Sequence, residues 1–459
     1  MSMGRRKTEH QPDLWIPTAD LPQSAGHAFY DKLNGLLAEA GFDRRVEGLC
    51  QEHYADGVGR ESIPPGIYFR MLLVGYFEGL DSQRGIAWRC GDSLSLRSFL
   101  GTPFGEATPD HSSLTKIRQR LPLDVHEQVF VFVLGVAHEK KLLRGKTVAI
   151  DSTTLEANAA MKSIVRKDTG EGYKAYLKRL LAEDGVENPT DEDARRFDRK
   201  RPKKGSNEEW QSPADPDSRI AKMKDRRTHL AYKAEHAVDL GSEFVLAAAV
   251  YTADQADSAT LMDSLVQAQV NLMLAGSEQE IEEAVADKGY HKAETLADCE
   301  TWGTRTYIPE PKREKRSWAG KPEGWERAFR ANRRRIKRVR SKRLQKKRSE
   351  YVERSFAHVC ETGGGRRTWL RGLADVTKRY LVQVAGHNLA VLMRKLFGVG
   401  KPKTLQGAGG LVVVVLRLYW RSAALIGRTW GQVISPALSP GPDCRPSDFQ
   451  ESRPFSTGC

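Results

Sequence analysis

The spacing of apolar residues changes near Lys146, and this change constrains the fold more than any other feature of the chain. Between about residues 26 and 130, apolar residues recur every three or four positions, as Ile67, Met71 and Val74 do, which is the spacing of an amphipathic helix. Beyond Lys146, short apolar runs typical of strands alternate with longer helical patterns. The sequence therefore predicts an all-α N-terminal domain at residues 26–130 and an α/β domain at residues 145–400.

The α/β domain is predicted to contain five strands with helices between them. The first strand, TVAID, ends at Asp151, and a long polar stretch at residues 157–228 follows it. Because that stretch has no sustained apolar period, we expect an insertion or a mobile flap there rather than a core element. The remaining predicted elements are a hairpin of strands at 229–240 and 243–251, a helix at 258–274, a strand at 282–290, a helix at 291–302, a strand at 304–310, and helices at 350–361 and 378–396.

The positive charge of the chain is concentrated in one segment. The 459 residues include 73 Lys and Arg against 59 Asp and Glu, a net charge of +14. Residues 327–348 contain 13 Lys or Arg among 22 residues and no acid. A phosphate backbone would neutralise such a run and release counterions, which predicts nucleic-acid binding. The alternative is a solvated basic linker.

Several classes of protein are unlike this sequence. The six cysteines form no C-x-x-C pair, which argues against a disulfide framework and a zinc knuckle. The first residues lack the apolar core of a signal peptide, and the longest aliphatic run, at 411–416, is far shorter than the ~20 residues of a membrane span. We expect a cytoplasmic, nucleoid-associated protein with a polyanionic partner. The polar arm at 1–25 and the tail at 406–459 receive no functional assignment.

Three acids occupy positions that favour a shared site. Asp151 ends the first predicted strand, Asp287 ends the fourth, and Glu353 lies on the helix after the fifth. In a ribonuclease-H-like mixed sheet the first and fourth strands are neighbours, so the three carboxylates would converge. Oxygen ligands suit Mg²⁺ or Mn²⁺, and two such ions could clamp the attacking and leaving oxygens of a phosphodiester. A single Asp at a strand end is more often a turn or cap residue; the order of all three favours the site.

Six segments resemble bacterial insertion-sequence transposases of the DDE type. They are YFRMLLVGYFEGLDSQRGIAWRC (68–90), TPDHSSLTKIRQRL (108–121), VAIDSTTLEANA (148–159), DPDSRIAKMKDRRTHLAYKAEHAVD (215–239), ADKGYH (286–291) and RSEYVERSFAHVCETGGGRRTWLRGL (348–373). The resemblance is to the branch with a helical N-terminal domain before a ribonuclease-H-like catalytic domain. It implies that Asp151, Asp287 and Glu353 are the catalytic triad and hold the two metal ions, and that Tyr290 and Arg354 shape the site or hold DNA. It also implies a homo-oligomer acting on terminal inverted repeats and target DNA.

Basic residues in three places are candidates for DNA contacts. Many related transposases carry an Arg four residues before the Glu and a Lys seven after it, but Ser349 and Cys360 stand there, so the phosphate-binding residue is left open. The helices of the N-terminal domain could form a helix-turn-helix-like module or a plain docking domain. The candidates are Arg333, Arg334, Arg335, Lys337 and Arg338 in the basic segment, Arg348, Arg354, Arg366 and Arg367 around Glu353, and Lys116, Arg118 and Arg120 on the outer face of a helix.

The predicted function is that of a DNA transposase. It would cleave at the ends of its element and join the freed 3′-hydroxyl to target DNA. A ribonuclease-H-like nuclease that only hydrolyses and a transposase relic that binds DNA without cutting it remain as alternatives.

Overall fold

The computed structural model describes residues 26–55, 62–103, 105–201, 205–223, 227–312 and 317–402. The predicted arm at 1–25 and the tail at 406–459 lie outside the described residues. The described residues belong to one compact unit that extends to Leu405. No helix among them is long and apolar enough to cross a membrane.

The N-terminal half of this unit is helical, as predicted. Ser82 and Asp110 begin two of the helices, because the Ser82 hydroxyl accepts the Gly85 N–H and the Asp110 carboxylate accepts the Ser112 N–H. Such caps satisfy backbone donors that the helix itself leaves open. The helices are α1 (Ala28–Glu39), α2 (Phe42–Cys50), α3 (Pro65–Glu78), α4 (Gln83–Asp92), α5 (Leu94–Leu100), α6 (His111–Arg120) and α7 (Leu123–Glu139).

A mixed sheet follows the helices and has the predicted strand order at its centre. The long strand β1 (Thr147–Glu156) pairs antiparallel with β5 (Thr228–Asp239) on one side and parallel with β7 (Glu283–Val285) on the other. Strand β8 (Arg305–Tyr307) continues the parallel side, and β6 (Val245–Thr252) pairs with β5 as the predicted hairpin. The first and fourth predicted strands are therefore neighbours, as in the ribonuclease-H-like sheet that the sequence predicts.

The polar stretch after β1 is folded where the structure describes it, so the mobile flap is wrong, whereas the alternative, an insertion, stays a prediction. It contains β2 (Val165–Arg166), α8 (Tyr173–Glu183), α9 (Asp191–Lys200), β3 (Trp210–Gln211) and β4 (Arg219–Lys222). Strand β4 pairs with β5 in the main sheet. The Trp210 ring lies edge-on to Tyr173 and Tyr176 at 4.9 and 5.3 Å, and Leu177 and Leu181 form a small core of their own. This stretch can fold with few apolar residues because each buried aromatic ring contributes a large buried area.

Helices cover the sheet and connect it to the N-terminal half. They are α10 (Asp257–Leu274), α11 (Ala293–Thr301), α12 (Trp325–Ile336), α13 (Val339–Phe356) and α14 (Leu373–Phe397). Helix α14 packs on α7, α3 and β6, so one continuous apolar core serves the helices and the sheet. The basic segment at 327–348 is helical, in α12 and the first half of α13, and is not an extended linker.

Candidate active site

Asp151 and Asp287 lie beside each other where β7 ends, although the expectation that Asp151 ends its own strand is wrong, because β1 continues to Glu156. The parallel register of β1 and β7 runs through Ala149 and Val285, and each aspartate follows two residues later in its own chain segment. Both are half-buried. Backbone donors hold both carboxylates: the Ser152 N–H reaches Asp151 Oδ1 at 2.9 Å and the Gly289 N–H reaches Asp287 Oδ1 at 2.6 Å.

Burial and like charge act together on Asp151. Burial raises the pKa of the Asp151 carboxyl, the Arg348 guanidinium and the Ser152 N–H oppose this rise, and the charge of Asp287 adds to it. The net direction is upward. Two carboxylates this close are an arrangement that a bound cation would relieve.

Arg348 occupies the second oxygen of Asp151. Its Nη1 forms an ion pair with Asp151 Oδ2, and its Nε donates to Gln345 Oε1 at 3.0 Å. Gln345 in turn donates to the carbonyl oxygens of Ala286 at 3.1 Å and Tyr307 at 2.7 Å. Helix α13 is therefore fixed to the ends of β7 and β8, and it delivers a positive charge to the candidate site.

Glu353 is not brought to the two aspartates in this conformation. It is exposed, and its carboxylate makes no hydrogen bond or ion pair with the described residues. It lies five positions after Arg348, and at 3.6 residues per turn this places it on another side of α13. Within the described ranges, no three acidic, histidine or cysteine side chains converge as a metal site. The role of Glu353 stays a prediction.

His236 anchors α13 behind the aspartates. It is the cross-strand partner of Asp151 in β5, and its ring stacks on Phe356 with centroids 4.2 Å apart. Its Nδ1 and Nε2 lie 2.8 Å from the hydroxyls of Ser355 and Tyr380. Burial lowers the pKa of His236 to about 3, so the ring is neutral and structural at physiological pH.

A buried charge cluster, which the sequence analysis missed, supports the acidic edge. Lys233 Nζ lies 3.1 Å from Asp257 Oδ1 and 3.5 Å from Glu235 Oε2. Glu235 is fully buried and accepts hydrogen bonds from Thr260 at 2.7 Å, Tyr290 at 2.8 Å and Ser264. The signal was present in the sequence, because Lys233 and Glu235 lie two residues apart and therefore on one face of the same strand.

Asp257 brings a further carboxylate close to Asp287, although the described acids do not converge as a three-ligand metal site. Its Oδ1 accepts the Ser152 hydroxyl at 2.9 Å. Its Oδ2 and Asp287 Oδ1 lie 2.8 and 2.9 Å from the point that a Cβ on Gly289 would occupy. The two acids thus face each other across Gly289, where any side chain would meet both.

The candidate DNA-binding residues of the basic segment divide into two groups. Arg333 forms an ion pair with Glu310 at 2.7 Å, and the half-buried Arg335 donates to the Thr306 carbonyl at 2.9 Å. The other three are exposed and form no ion pair among the described residues; they are Arg334, Lys337 and Arg338.

Around Glu353 the predicted DNA contacts have protein partners. Arg354 pairs with Glu243 at 3.0 Å, and Arg366 donates to Thr153 Oγ1 at 3.0 Å and to the Thr154 carbonyl. Arg367 is exposed and lies 3.7 Å from Glu156.

In the N-terminal domain, one of the three predicted contacts is misplaced. The expectation that Arg118 lies on an exposed face is wrong, because Arg118 is buried and pairs with Asp375 of α14 at 3.1 Å. Lys116 and Arg120 are exposed. Helix α6 contacts α14 through Arg118 as well as burying its apolar face, so a charged residue outside that face is buried too.

Two family models match the chain. One, described as a transposase domain (DUF772), covers residues 19–120, and the other, described as a transposase DDE domain, covers residues 280–393. The second match includes Asp287 and Glu353, whereas Asp151 lies before it. A comparison with curated proteins gives no significant match.

These matches place the chain among the transposases. The two matched segments support a DDE transposase with a helical N-terminal domain, and the mixed sheet in the C-terminal half is consistent with a DDE domain.

Proposed function

We propose that this transposase cleaves DNA at the ends of its insertion sequence and joins the freed 3′-hydroxyl to target DNA. The observation that carries the proposal is the pairing of β1 with β7, which sets Asp151 beside Asp287 at one accessible edge. Both acids were predicted from their places at strand ends, and the family match includes one of them.

The two reactions use one chemistry at phosphorus. In cleavage, a water oxygen attacks the phosphorus at the element's end, the bond to the 3′-oxygen breaks, and that oxygen takes a proton. In joining, the 3′-oxygen loses its proton and attacks a target phosphorus, and the target's own 3′-oxygen leaves. Each step forms one P–O bond and breaks one, so the same acids can serve both.

The donor set at this edge fits Mg²⁺ or Mn²⁺. Asp151 and Asp287 offer carboxylate oxygens, the ligands that these ions prefer, and burial beside a like charge raises the pKa of Asp151. We propose these two residues as metal ligands, with Glu353 as the third on resemblance. Two bound ions would activate the attacking oxygen and stabilise the leaving one. The protein's own part is to orient the carboxylates through the Ser152 and Gly289 N–H groups.

Arg348 is proposed to exchange partners when DNA binds. Its ion pair with Asp151 neutralises the acidic edge in the free protein. A DNA phosphate can bind a guanidinium in the same bidentate way as a carboxylate, and metal ions bound by Asp151 would compete with Arg348 for that carboxylate. Arg348 would then take the phosphate-binding role for which Ser349 and Cys360 are unsuited.

DNA contacts are proposed on two surfaces. The exposed Arg334, Lys337 and Arg338 would hold phosphates without reading sequence. The N-terminal helices, with Lys116 and Arg120, would read the terminal inverted repeats. A homo-oligomer that pairs two ends, located at the nucleoid, completes the proposal.

A strand-transfer assay tests the function. The full chain is incubated with Mg²⁺, a labelled duplex carrying one inverted repeat, and a plasmid target. The proposal predicts that label becomes covalently joined to the plasmid. Cleaved ends without joined product would identify a nuclease, and binding without cleavage would identify a DNA-binding relic.

A further inference from the structure

A large basic cavity adjoins the acidic edge. It has a volume of about 1120 Å³, and Lys288 and Gly289, which directly follow Asp287, form part of its wall. Ser258, next to Asp257, forms another part. The cavity is therefore continuous with the place where a scissile phosphate would lie, and it exceeds the roughly 300–1,000 Å³ of most ligand pockets.

The charge of the lining favours an anion. Four lysines line the cavity against one glutamate, Glu310, whose charge is offset by Arg333 at 2.7 Å. Lys292 pairs with Glu294 at 2.5 Å. The other three lysines form no ion pair within the described part of the chain; they are Lys288, Lys312 and Lys321.

Backbone N–H groups add to the positive electrostatic potential of the cavity. Helices α11 and α12 begin at the cavity, with Ala293 and Trp325 in its wall. Neither helix has a side-chain hydrogen bond at its N-cap, although the Trp325 N–H of α12 donates to the Pro322 carbonyl at 3.4 Å. The positive end of a helix attracts phosphate.

Two tryptophans provide flat apolar surface in the same wall. Trp318 is half-buried and meets Phe329 edge-on at 5.0 Å, and His291 meets the same ring at 5.4 Å. Phe329 is buried, so it holds the rings of Trp318 and His291 in place. Trp325, also half-buried, begins α12. Tryptophan rings with nearby lysines are the combination that binds unpaired nucleotides, since bases stack on the rings and phosphates meet the ammonium groups.

We propose that this lysine–tryptophan cavity binds an unpaired nucleotide at the end of the DNA strand that reacts beside Asp287. The inference rests on the proposed function, since the strand is that of the transposase substrate. The base lies against Trp325 or Trp318, and Lys288, Lys312 and Lys321 hold its phosphates. A free mononucleotide carries the same chemistry, and the experiment separates the two sources.

Fluorescence anisotropy with the full chain and three labelled probes tests the cavity. The probes are a blunt inverted-repeat duplex, the same duplex with a three-nucleotide 3′ overhang, and dTMP. The overhang duplex is expected to bind roughly 5- to 100-fold more tightly than the blunt one, the gain that base stacking on an aromatic ring provides. Trp325→Ala should abolish this preference and leave blunt binding within twofold, whereas Trp325→Phe should keep most of it.

Trp302→Ala is the matched control, because Trp302 is exposed and follows the opposite end of α11. It should leave the overhang preference unchanged. Equal binding of both duplexes by the wild type, or a preference that survives Trp325→Ala, would overturn the proposal. So would tight dTMP binding lost in Trp325→Ala without any overhang preference, which would identify a free-nucleotide site. A wild-type chain that binds neither duplex would count against the proposed function itself.

Discussion

Replacing Lys233 with methionine tests whether the buried charge cluster stabilises the fold beneath the acidic edge. The Lys233 side chain is 6% exposed, and its ammonium lies 2.9 Å from Thr260 Oγ1 and 3.1 Å from Asp257 Oδ1. Methionine preserves most of the apolar stem. It leaves the fully buried Glu235 carboxylate without a counter-charge.

The loss of free energy of unfolding in Lys233→Met depends on the groups that still surround Glu235. Removing one partner of a buried ion pair typically costs about 3–5 kcal/mol. Thr260, Ser264 and Tyr290 still donate hydroxyls to Glu235, which stabilises its charge, so we expect the lower end of that range, ~3 kcal/mol. The control is Lys146→Met, which removes an ion pair with Glu282 between half-exposed side chains and should cost about 0–1 kcal/mol.

Urea unfolding followed by tryptophan fluorescence measures both variants. Lys233→Met should lower the urea midpoint clearly more than Lys146→Met does. The double variant Lys233→Met with Glu235→Gln should recover part of the loss, because no uncompensated charge remains at Glu235. A midpoint for Lys233→Met that equals the control's, or a double variant worse than the sum of its parts, would refute the reasoning.

Three further predictions use other parts of the structure. Burial lowers the pKa of His126 to about 4, so the unfolded chain takes up a proton before the folded chain does as pH falls below about 6.5. Stability should therefore decline from pH 6.5 toward pH 4. The Tm should fall less steeply with pH in His126→Gln than in the wild type, and an unchanged slope would contradict this. Replacing the exposed Arg334, Lys337 and Arg338 by Gln should flatten the log–log salt dependence of duplex binding by ~0.9 per lost phosphate contact. Arg335→Gln should leave this slope unchanged. Arg348 and a metal would compete for Asp151, so Arg348→Gln should tighten Mn²⁺ binding to the free protein. Calorimetry should show a roughly tenfold gain in affinity, which is the free energy of about one pKa unit. Weaker Mn²⁺ binding would contradict the competition.

The sequence was sufficient for the centre of the fold because local pattern and strand pairing agree there. The run TVAID and the hairpin around Gly241 fix β1, β5 and β6 by alternation and turn residues. The same pattern puts Asp151 and Asp287 two positions beyond paired residues of neighbouring strands, so their proximity could be predicted, although Asp151 lies inside β1, which continues to Glu156.

Other parts depend on contacts between distant segments. The face of α13 that meets the sheet is set by Arg348, Gln345 and Ser355 contacting three different strands, and no local period of α13 reveals this. The burial of Arg118 depends on Asp375, 257 residues away. The position of Asp257 beside Asp287 likewise depends on how α10 packs on β5 and on the turn at Gly289.

Strand cleavage by asparagine variants tests whether Asp151 and Asp287 form the reacting edge of the transposase. Asparagine keeps the shape of each side chain and removes the charge. Cleavage of a labelled inverted-repeat duplex with Mg²⁺ and gel shift on the same duplex are measured for Asp151→Asn, Asp287→Asn and the control Asp298→Asn, whose side chain is exposed on α11. Cleavage should fall at least a hundredfold in Asp151→Asn and Asp287→Asn, on the order of the effect of losing a key transition-state contact, while binding stays unchanged. Asp298→Asn should cleave like the wild type. Cleavage by either active-edge variant within a few-fold of wild type would contradict the assignment.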